Sequence, residues 1–133
     1  MCHSQCTGVA AVTVRIRAYS TTGELDTTRD PFTLGTRVLL TCDVTGLPEG
    51  SEVVSYRWYH NCTGHPNSRC EIQDGDPYYR MAKDTLLVDV TSLDQRGRYY
   101  CNAAITRDLN ADSLPVTKAA IIRGVTSELA VVG

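Results

Sequence analysis

The sequence predicts an all-β domain built as a sandwich of two antiparallel sheets. Short segments in which apolar and polar residues alternate recur along the chain, and turns rich in Gly, Pro, Asn and Asp separate them. No segment sustains the 3.6-residue period of an amphipathic helix. Roughly seven to nine short strands without helices bury their apolar faces by packing two sheets against each other.

The strands are assigned from this alternation. Apolar residues at every second position, such as Val54, Tyr56 and Trp58, are expected to face the core. Residues 62–77 are rich in turn formers and predict a loop with at most one short edge strand. Residues 107–124 either extend the last hairpin or form a long loop. The predicted strands are Val9–Tyr19, Thr36–Thr45, Val53–His60, Tyr78–Met81, Thr85–Val90, Gly97–Thr106 and Ser127–Val132.

The composition is that of one folded domain with no basic face. Hydrophobic residues make up 42% of the 133 residues and charged residues 21%, which is typical of a globular chain. The 13 basic and 15 acidic residues are scattered, so we expect neither nucleic acid nor a membrane surface as a partner. No stretch approaches the roughly 20 apolar residues of a membrane-spanning helix.

Six cysteines, an even number in a short chain, indicate disulfides and an oxidising, extracellular compartment. The start, Met1–Cys6, lacks the charged and apolar regions of a signal peptide. We therefore expect a fragment whose signal has been removed, from the ectodomain of a single-pass membrane protein or from a secreted protein. Residues 1–8 are assigned to an N-terminal segment and residues 9–133 to the domain.

One group of residues carries a resemblance to a known family. Cys42, then Trp58, then the run Asp94–Cys101 resembles the signature of the immunoglobulin superfamily. The resemblance implies an immunoglobulin-like Greek-key β-sandwich of two antiparallel sheets, of I-set or V-like type. It implies a Cys42–Cys101 bridge between strands B and F with the indole of Trp58 against it. It also implies that the Tyr99 hydroxyl returns to nearby backbone, as in a tyrosine corner.

The signature departs from the family pattern at one position. The acidic residue two places before Gly97 is replaced by Gln95, and Asp94 stands one place earlier. Family members pair that acid with an arginine at the start of strand D, so the resemblance implies a pair between Arg80 and Asp94.

Four potential zinc ligands cluster after strand C. Their spacing fits no common zinc finger, and the compartment is oxidising, so we expect a Cys62–Cys70 bridge and no metal or cofactor. Cys2 and Cys6 then pair by elimination, although an even count also allows a link to a neighbouring chain. The four residues are His60, Cys62, His65 and Cys70.

Asn61-Cys62-Thr63 matches the N-glycosylation acceptor pattern, and we expect that Asn61, if glycosylated, points into solvent. Catalysis is not expected. The three histidines fall in the N-terminal segment and in one loop rather than beside an activated nucleophile. A kinase domain elsewhere in the parent chain is compatible with this.

These observations predict an extracellular ligand-binding or adhesion module of a cell-surface receptor. Residues Arg80–Cys101 are similar to modules in the ectodomains of animal receptor tyrosine kinases, and the general resemblance points to an early-branching animal such as a sponge. The alternatives are a homophilic adhesion or spacer module and a secreted immune-type recognition protein. The partner is expected to be a protein ligand or another immunoglobulin-like domain, with a homodimer as one form.

Recognition is expected in loops gathered at one end of the sandwich, because long loops on a rigid scaffold commonly carry function. The B to C loop is assigned to Gly46–Glu52 and the F to G segment to Arg107–Gly124. Outward aromatic residues are the alternative binding anchors, unless they only cover a sheet edge: Tyr78, Tyr79 and Tyr100. The expected ligand contacts in the F to G segment are Arg107, Asp108, Leu109, Asn110 and Asp112.

Overall fold

A computed structural model describes residues 12–62, 65–106 and 120–133, without the side chains of residues 62, 65–67 and 120. Almost every element is a strand, and a single 3-10 turn at Leu93–Gln95 precedes β9. The strands are β1 Thr13–Ser20, β2 Gly23–Leu25, β3 Phe32–Thr33, β4 Arg37–Thr45, β5 Val53–Cys62, β6 His65–Glu71, β7 Tyr78–Ala82, β8 Thr85–Asp89, β9 Tyr99–Ile105, β10 Ala120–Val125 and β11 Val131–Val132.

Two antiparallel sheets form the sandwich that the sequence predicts. The first sheet has five strands in the order β2-β1-β4-β8-β7, and the second sheet has four in the order β10-β9-β5-β6. A short parallel pair joins β11 to β3. Residues 72–77, which connect β6 to β7 and are all described, contain no strand, so the chain lacks the additional C″ strand of a variable-type domain at this point.

The core lies between the sheets and follows the alternation of their strands. In β4 the side chains of Val38, Leu40 and Cys42 are at most 1% exposed. Across the core, Trp58 is fully buried and lies opposite Cys101 in the strand register. A disulfide with an S–S distance of 2.05 Å joins Cys42 to Cys101, which confirms the bridge between the sheets.

Strand β1 crosses close to the edge of the second sheet at Gly124. A Cβ at this position would lie 2.7 Å from Cγ1 of Val14 and 3.1 Å from its carbonyl oxygen. The neighbouring carbonyl belongs to β1, whose backbone is held in register with β4. Only a residue without a side chain lets the first and second sheets approach this closely.

Three details of the strands go beyond the sequence prediction or differ from it. Val54 is 45% exposed because the register with β9 shifts between Val53 and Ser55, which turns its side chain out of the core. Within residues 62–77, where a loop with at most one short edge strand was expected, His65–Glu71 form the edge strand β6, whose polar residues give no alternation signal. The last predicted strand, Ser127–Val132, is shortened to an isolated bridge between Leu129 and Gly97 and the two-residue strand β11.

The turn before β9 is organised by the side chain of Gln95, which is 4% exposed. Its Oε1 accepts from the backbone N–H groups of Thr91 at 2.6 Å and Ser92 at 2.9 Å. Its Nε2 donates to the carbonyl oxygen of Asp89 at 2.8 Å. The hydroxyl of Tyr99 then donates to Gln95 O at 2.7 Å, so this turn and the start of β9 form one hydrogen-bonded corner.

The expected pair between Arg80 and Asp94 is wrong. A guanidinium nitrogen of Arg80 donates to Tyr56 O at 2.9 Å, and no ion pair among the described residues joins it to Asp94. Asp94 is exposed, and its backbone N–H is capped by Ser92 Oγ at 3.1 Å. The amide of Gln95 organises the turn from within the same chain segment, so an arginine from β7 is not needed there.

His60 is buried beneath this corner. Its ring stacks on Tyr99 with centroids 4.3 Å apart and an interplanar angle of 21°. Its Nε2 lies 2.7 Å from the carbonyl oxygen of Arg96, and because a carbonyl only accepts, Nε2 carries the proton. Burial lowers the pKa of His60 below its ordinary value of 6.5, so the neutral imidazole is favoured in the folded state.

Replacing both Cys42 and Cys101 by Ala is expected to lower the free energy of unfolding by about 4 kcal/mol, because the bridge closes a long loop between the sheets. Urea unfolding followed by tryptophan fluorescence measures the change, since the only tryptophan lies beside the bridge. A loss below about 1 kcal/mol would contradict the view that this bridge holds the sandwich together.

The stability of the domain should fall as the pH is lowered from about 7.5 to about 5.5, in part because His60 stays neutral when folded and takes up a proton when unfolded. Stability is then lost below the ordinary histidine pKa. Thermal melts of the parent protein and of His60→Gln across this range isolate the contribution, because Gln keeps a donor for Arg96 O but does not titrate. An identical pH dependence in the two proteins would remove His60 as the cause.

Candidate functional site

The outer face of the second sheet carries two rows of polar and aromatic side chains. Directly opposed residues on antiparallel strands point to the same side of a sheet, so the strand register defines each row. The first row is Val125, Tyr100, Tyr59 and Glu71, and the second row is Arg123, Asn102 and Arg57. We call these residues, together with Arg69 of β6, the tyrosine–arginine face.

Contacts within the tyrosine–arginine face hold its long side chains in place. The guanidinium carbon of Arg69 lies 4.4 Å from the ring centroid of Tyr100, in cation–π geometry. Arg123 Nε donates to Asn102 Oδ1 at 3.0 Å. Side chains that are already ordered lose less entropy when a partner binds, so this face is suited to recognition.

The tyrosine–arginine face is positively charged. Arg57, Arg69 and Arg123 stand against a single carboxylate, and Arg57 Nε lies 3.9 Å from Glu71 Oε2. Residues Tyr59, Arg69, Asn102 and Arg123 line a shallow cleft of about 220 Å³. Such a depression is small for a cofactor but can take one side chain of a protein partner.

Apolar side chains lie on β10 beside the arginines. Ile121 is 65% exposed and Val125 is 49% exposed. Tyrosine and arginine are enriched in the residues that contribute most to protein interfaces, and exposed apolar side chains add area that binding removes from water. The arrangement therefore resembles a protein-binding surface more than a catalytic site.

The expected ligand contacts at Arg107, Asp108, Leu109, Asn110 and Asp112 lie outside the described residues. The segment that contains them leaves β9 after Ile105 and enters β10 at Ala120.

At its start, this segment meets the B to C loop. Thr106 N donates to Glu52 O at 2.9 Å, and Glu52 N donates to Thr106 Oγ1 at 3.2 Å. The structure thus brings together the described ends of the two loops on which recognition was expected.

The three tyrosines proposed as outward anchors do not form one site. Tyr78 points inward and packs edge-on against Tyr99, with ring centroids 6.3 Å apart, so its assignment as an outward anchor is wrong. Because Tyr99 donates its own hydroxyl hydrogen to Gln95 O, Tyr78 is the donor in the 3.3 Å contact between the two hydroxyls. Tyr79 lies on the outer face of the first sheet, whereas Tyr100 lies on the second.

Sequence reasoning missed Tyr59 and Arg69. Tyr59 was within reach, because it follows the inward Trp58 and must point to the opposite side of the strand. Arg69 was not, because it belongs to the edge strand β6, and the sequence allowed one short edge strand in residues 62–77 without showing where it lies.

The second predicted disulfide is tested only in part. Cys70 is disulfide-bonded and lies opposite His60 in the register of β5 and β6. The side chain of Cys62 and all of Cys2 and Cys6 lie outside the description, so the Cys62–Cys70 and Cys2–Cys6 pairings stay predictions.

Asn61 lies opposite Arg69 on the outer side of the second sheet and is half-buried, with its amide close to Gly97. A Cβ at Gly97 would lie 2.8 Å from Asn61 Nδ2, and the φ of +113° at Gly97 also favours glycine. The glycosylation of Asn61 stays a prediction.

The described residues contain no group of three or more His, Cys, Asp or Glu side chains placed to hold a metal ion. In the same part of the chain, no helix has the length and apolarity to cross a bilayer.

Comparison with known proteins identifies the family. The sequence model of the immunoglobulin domain matches residues 20–120. No curated protein sequence matches the chain. Among solved structures, that of murine CRIg is similar at 16% identity and a TM-score of 0.59, over 92% of this chain and 98% of that one. A structure concerning Dscam isoform specificity is similar at 18% identity and a TM-score of 0.45, over 86% of this chain and 24% of that one.

At such identities the structural likeness to CRIg concerns the fold alone. The family match covers about three quarters of the chain and includes both halves of the disulfide bridge. This match, together with the two-sheet topology and the Cys42–Cys101 bridge, shows that the chain belongs to the immunoglobulin superfamily.

Proposed function

We propose that this domain is an extracellular ligand-binding or adhesion module of a cell-surface receptor, and that it binds a protein partner through the tyrosine–arginine face. The ordered arrangement of Tyr59, Tyr100 and three arginines on that face is the observation that supports the proposal most directly. The Cys42–Cys101 disulfide supports an oxidising, extracellular setting.

The chemistry of the face suggests the chemistry of the partner. Three arginines and one glutamate favour a partner surface that carries carboxylates. The exposed Ile121 and Val125 favour apolar side chains next to those carboxylates. No residue group in the proposal activates a nucleophile or moves a proton, so the proposed role is binding without catalysis.

The partner can be sought by screening the purified domain against an array of extracellular domains, and the face is then tested by substitution. Tyr59→Ala and Arg69→Ala should each weaken binding by about tenfold, because Tyr and Arg dominate interface energetics. Affinity should also fall as the ionic strength is raised, since charges contribute to recognition. Surface plasmon resonance with the domain in solution measures both effects.

Arg15→Ala is the matched control, because Arg15 is an exposed arginine on the outer face of the first sheet, on the other side of the sandwich from the tyrosine–arginine face. This variant should bind like the parent protein. If both face variants bind normally, recognition lies elsewhere, and replacing Arg107–Ser113 with a short glycine-containing turn tests the F to G segment. Loss of binding only in that last variant would reject the face and favour the loop.

A further inference from the structure

The outer face of the first sheet carries a continuous apolar row that no described element covers. Tyr19 lies opposite Leu39, Leu39 opposite Leu87, and Leu87 opposite Tyr79, so the row crosses four strands. Leu39 is 37% exposed, Tyr79 is 36% exposed, and Met81 beside them is 60% exposed. We call Tyr19, Leu39, Leu87 and Tyr79 the tyrosine–leucine row.

The order of residues in this row is the same from either end. A tyrosine stands at each end and the two leucines are adjacent at the centre, on β4 and β8. A two-fold axis parallel to the strands, passing between β4 and β8, would lay this face against its own copy. Leu39 of one copy would then meet Leu87 of the other, and Tyr19 would meet Tyr79, as an isologous interface requires.

The charges next to the row obey the same symmetry. Arg37 on β4 lies opposite Asp89 on β8, one row along the strands from the leucines. None of the ion pairs among the described residues uses either side chain. Under the same two-fold axis, Arg37 of each copy faces Asp89 of the other copy. The interface then contains two ion pairs and no like charges at these positions.

The net charge of each face separates this surface from the tyrosine–arginine face. On the strands of the first sheet, three outward arginines at positions 15, 17 and 37 are balanced by three outward carboxylates at positions 24, 43 and 89, and the carboxylate of Asp76 lies near Tyr79 at one end of the row. Little net charge therefore opposes the approach of a second copy. The tyrosine–arginine face carries an excess of arginine and would repel its own copy, so it fits a different partner.

From this geometry we propose that the domain self-associates as a symmetric dimer through the tyrosine–leucine row, with Arg37 of each copy paired to Asp89 of the other. Two sheets in face-to-face contact lie about 10 Å apart with strands within about 30° of each other, a separation that arginine and aspartate side chains can span. The dimer surface is separate from the proposed receptor face, so either proposal can fail alone.

The size of the face predicts a weak dimer. Four strands about 4.8 Å apart and a shared length of about five residues give a projected area on the order of 300 Å² per copy. Interfaces below about 1,200 Å² in total are those of transient complexes. The self-association is therefore expected only at micromolar or higher concentrations.

Sedimentation velocity on the whole chain, at up to about 500 µM, tests the dimer in the range expected for a small interface. Leu39→Glu should raise the dissociation constant at least about tenfold by placing a charge in the apolar row. Ile121→Glu is the matched control, because it puts the same charge on an exposed side chain of the second sheet. Normal thermal melts establish that each variant is folded.

Charge reversal tests the symmetry itself. Arg37→Glu alone and Asp89→Arg alone each place like charges across the proposed axis, so each variant should be monomeric. A mixture of the two variants pairs opposite charges at both positions and should dimerise again. Mixing separate chains cannot repair a stability defect within one chain, so a restored dimer reports on contact between copies. If Asp89→Arg does not fold, Asp89→Lys is used in its place.

The proposal is overturned if the parent protein remains monomeric throughout this range, if Leu39→Glu dimerises normally, or if Ile121→Glu is the variant that abolishes association. A mixture of the charge variants that stays monomeric would reject the proposed axis. Dimerisation of the parent protein and of the mixture, with loss in each single charge variant, supports it.

Discussion

The covalent bridge between Cys42 and Cys101, with Trp58 in register beside it, is the constraint on which the rest of the structure depends. It joins the middle of the first sheet to the middle of the second, so the inward faces of β4 and β9 cannot separate. Once those faces are fixed, the period of two in each strand determines which residues point outward. Both proposed binding surfaces are thus consequences of how the core is filled.

The two outer faces differ because charge is distributed unequally between them. The second sheet gathers arginines from β5, β6 and β10, and only one carboxylate stands among them. The first sheet balances its arginines with carboxylates, several of them in contact, as in the 2.8 Å pair of Arg17 and Glu24. Exposed pairs of this kind add little stability, but they decide which surfaces attract and which repel. The two proposals therefore assign the ligand and the second copy to different faces of the domain.

The corner before β9 shows how a family feature can persist when one residue changes. Gln95 holds the turn by accepting from two backbone N–H groups and donating to a carbonyl, three contacts that an amide satisfies without any charge. The Tyr99 hydroxyl and the His60 ring complete a buried polar cluster on this turn. Because the cluster lacks a paired carboxylate, its pH response arises from the histidine, whose pKa burial lowers.

Residues that act through local patterns were predictable from the sequence alone. The alternation of Val38, Leu40 and Cys42 indicated a half-buried strand, and the spacing of Cys42, Trp58 and Cys101 indicated the family and its two-sheet core. Polar edge strands defeat this reasoning, since β6 and its Arg69 have no buried side whose period would mark them.

Only the tertiary structure decided which outward residues become neighbours. Sequence reasoning grouped Tyr78, Tyr79 and Tyr100 as similar aromatic residues. In the structure Tyr78 points inward and packs against the core, Tyr79 lies on the outer face of the first sheet, and Tyr100 lies on the outer face of the second sheet. The tyrosine–leucine row depends on the register of four strands that are distant in sequence. The sequence by itself determined the core and the family, because a strand's period is local, whereas the surfaces depend on strand order and register, which long-range packing sets.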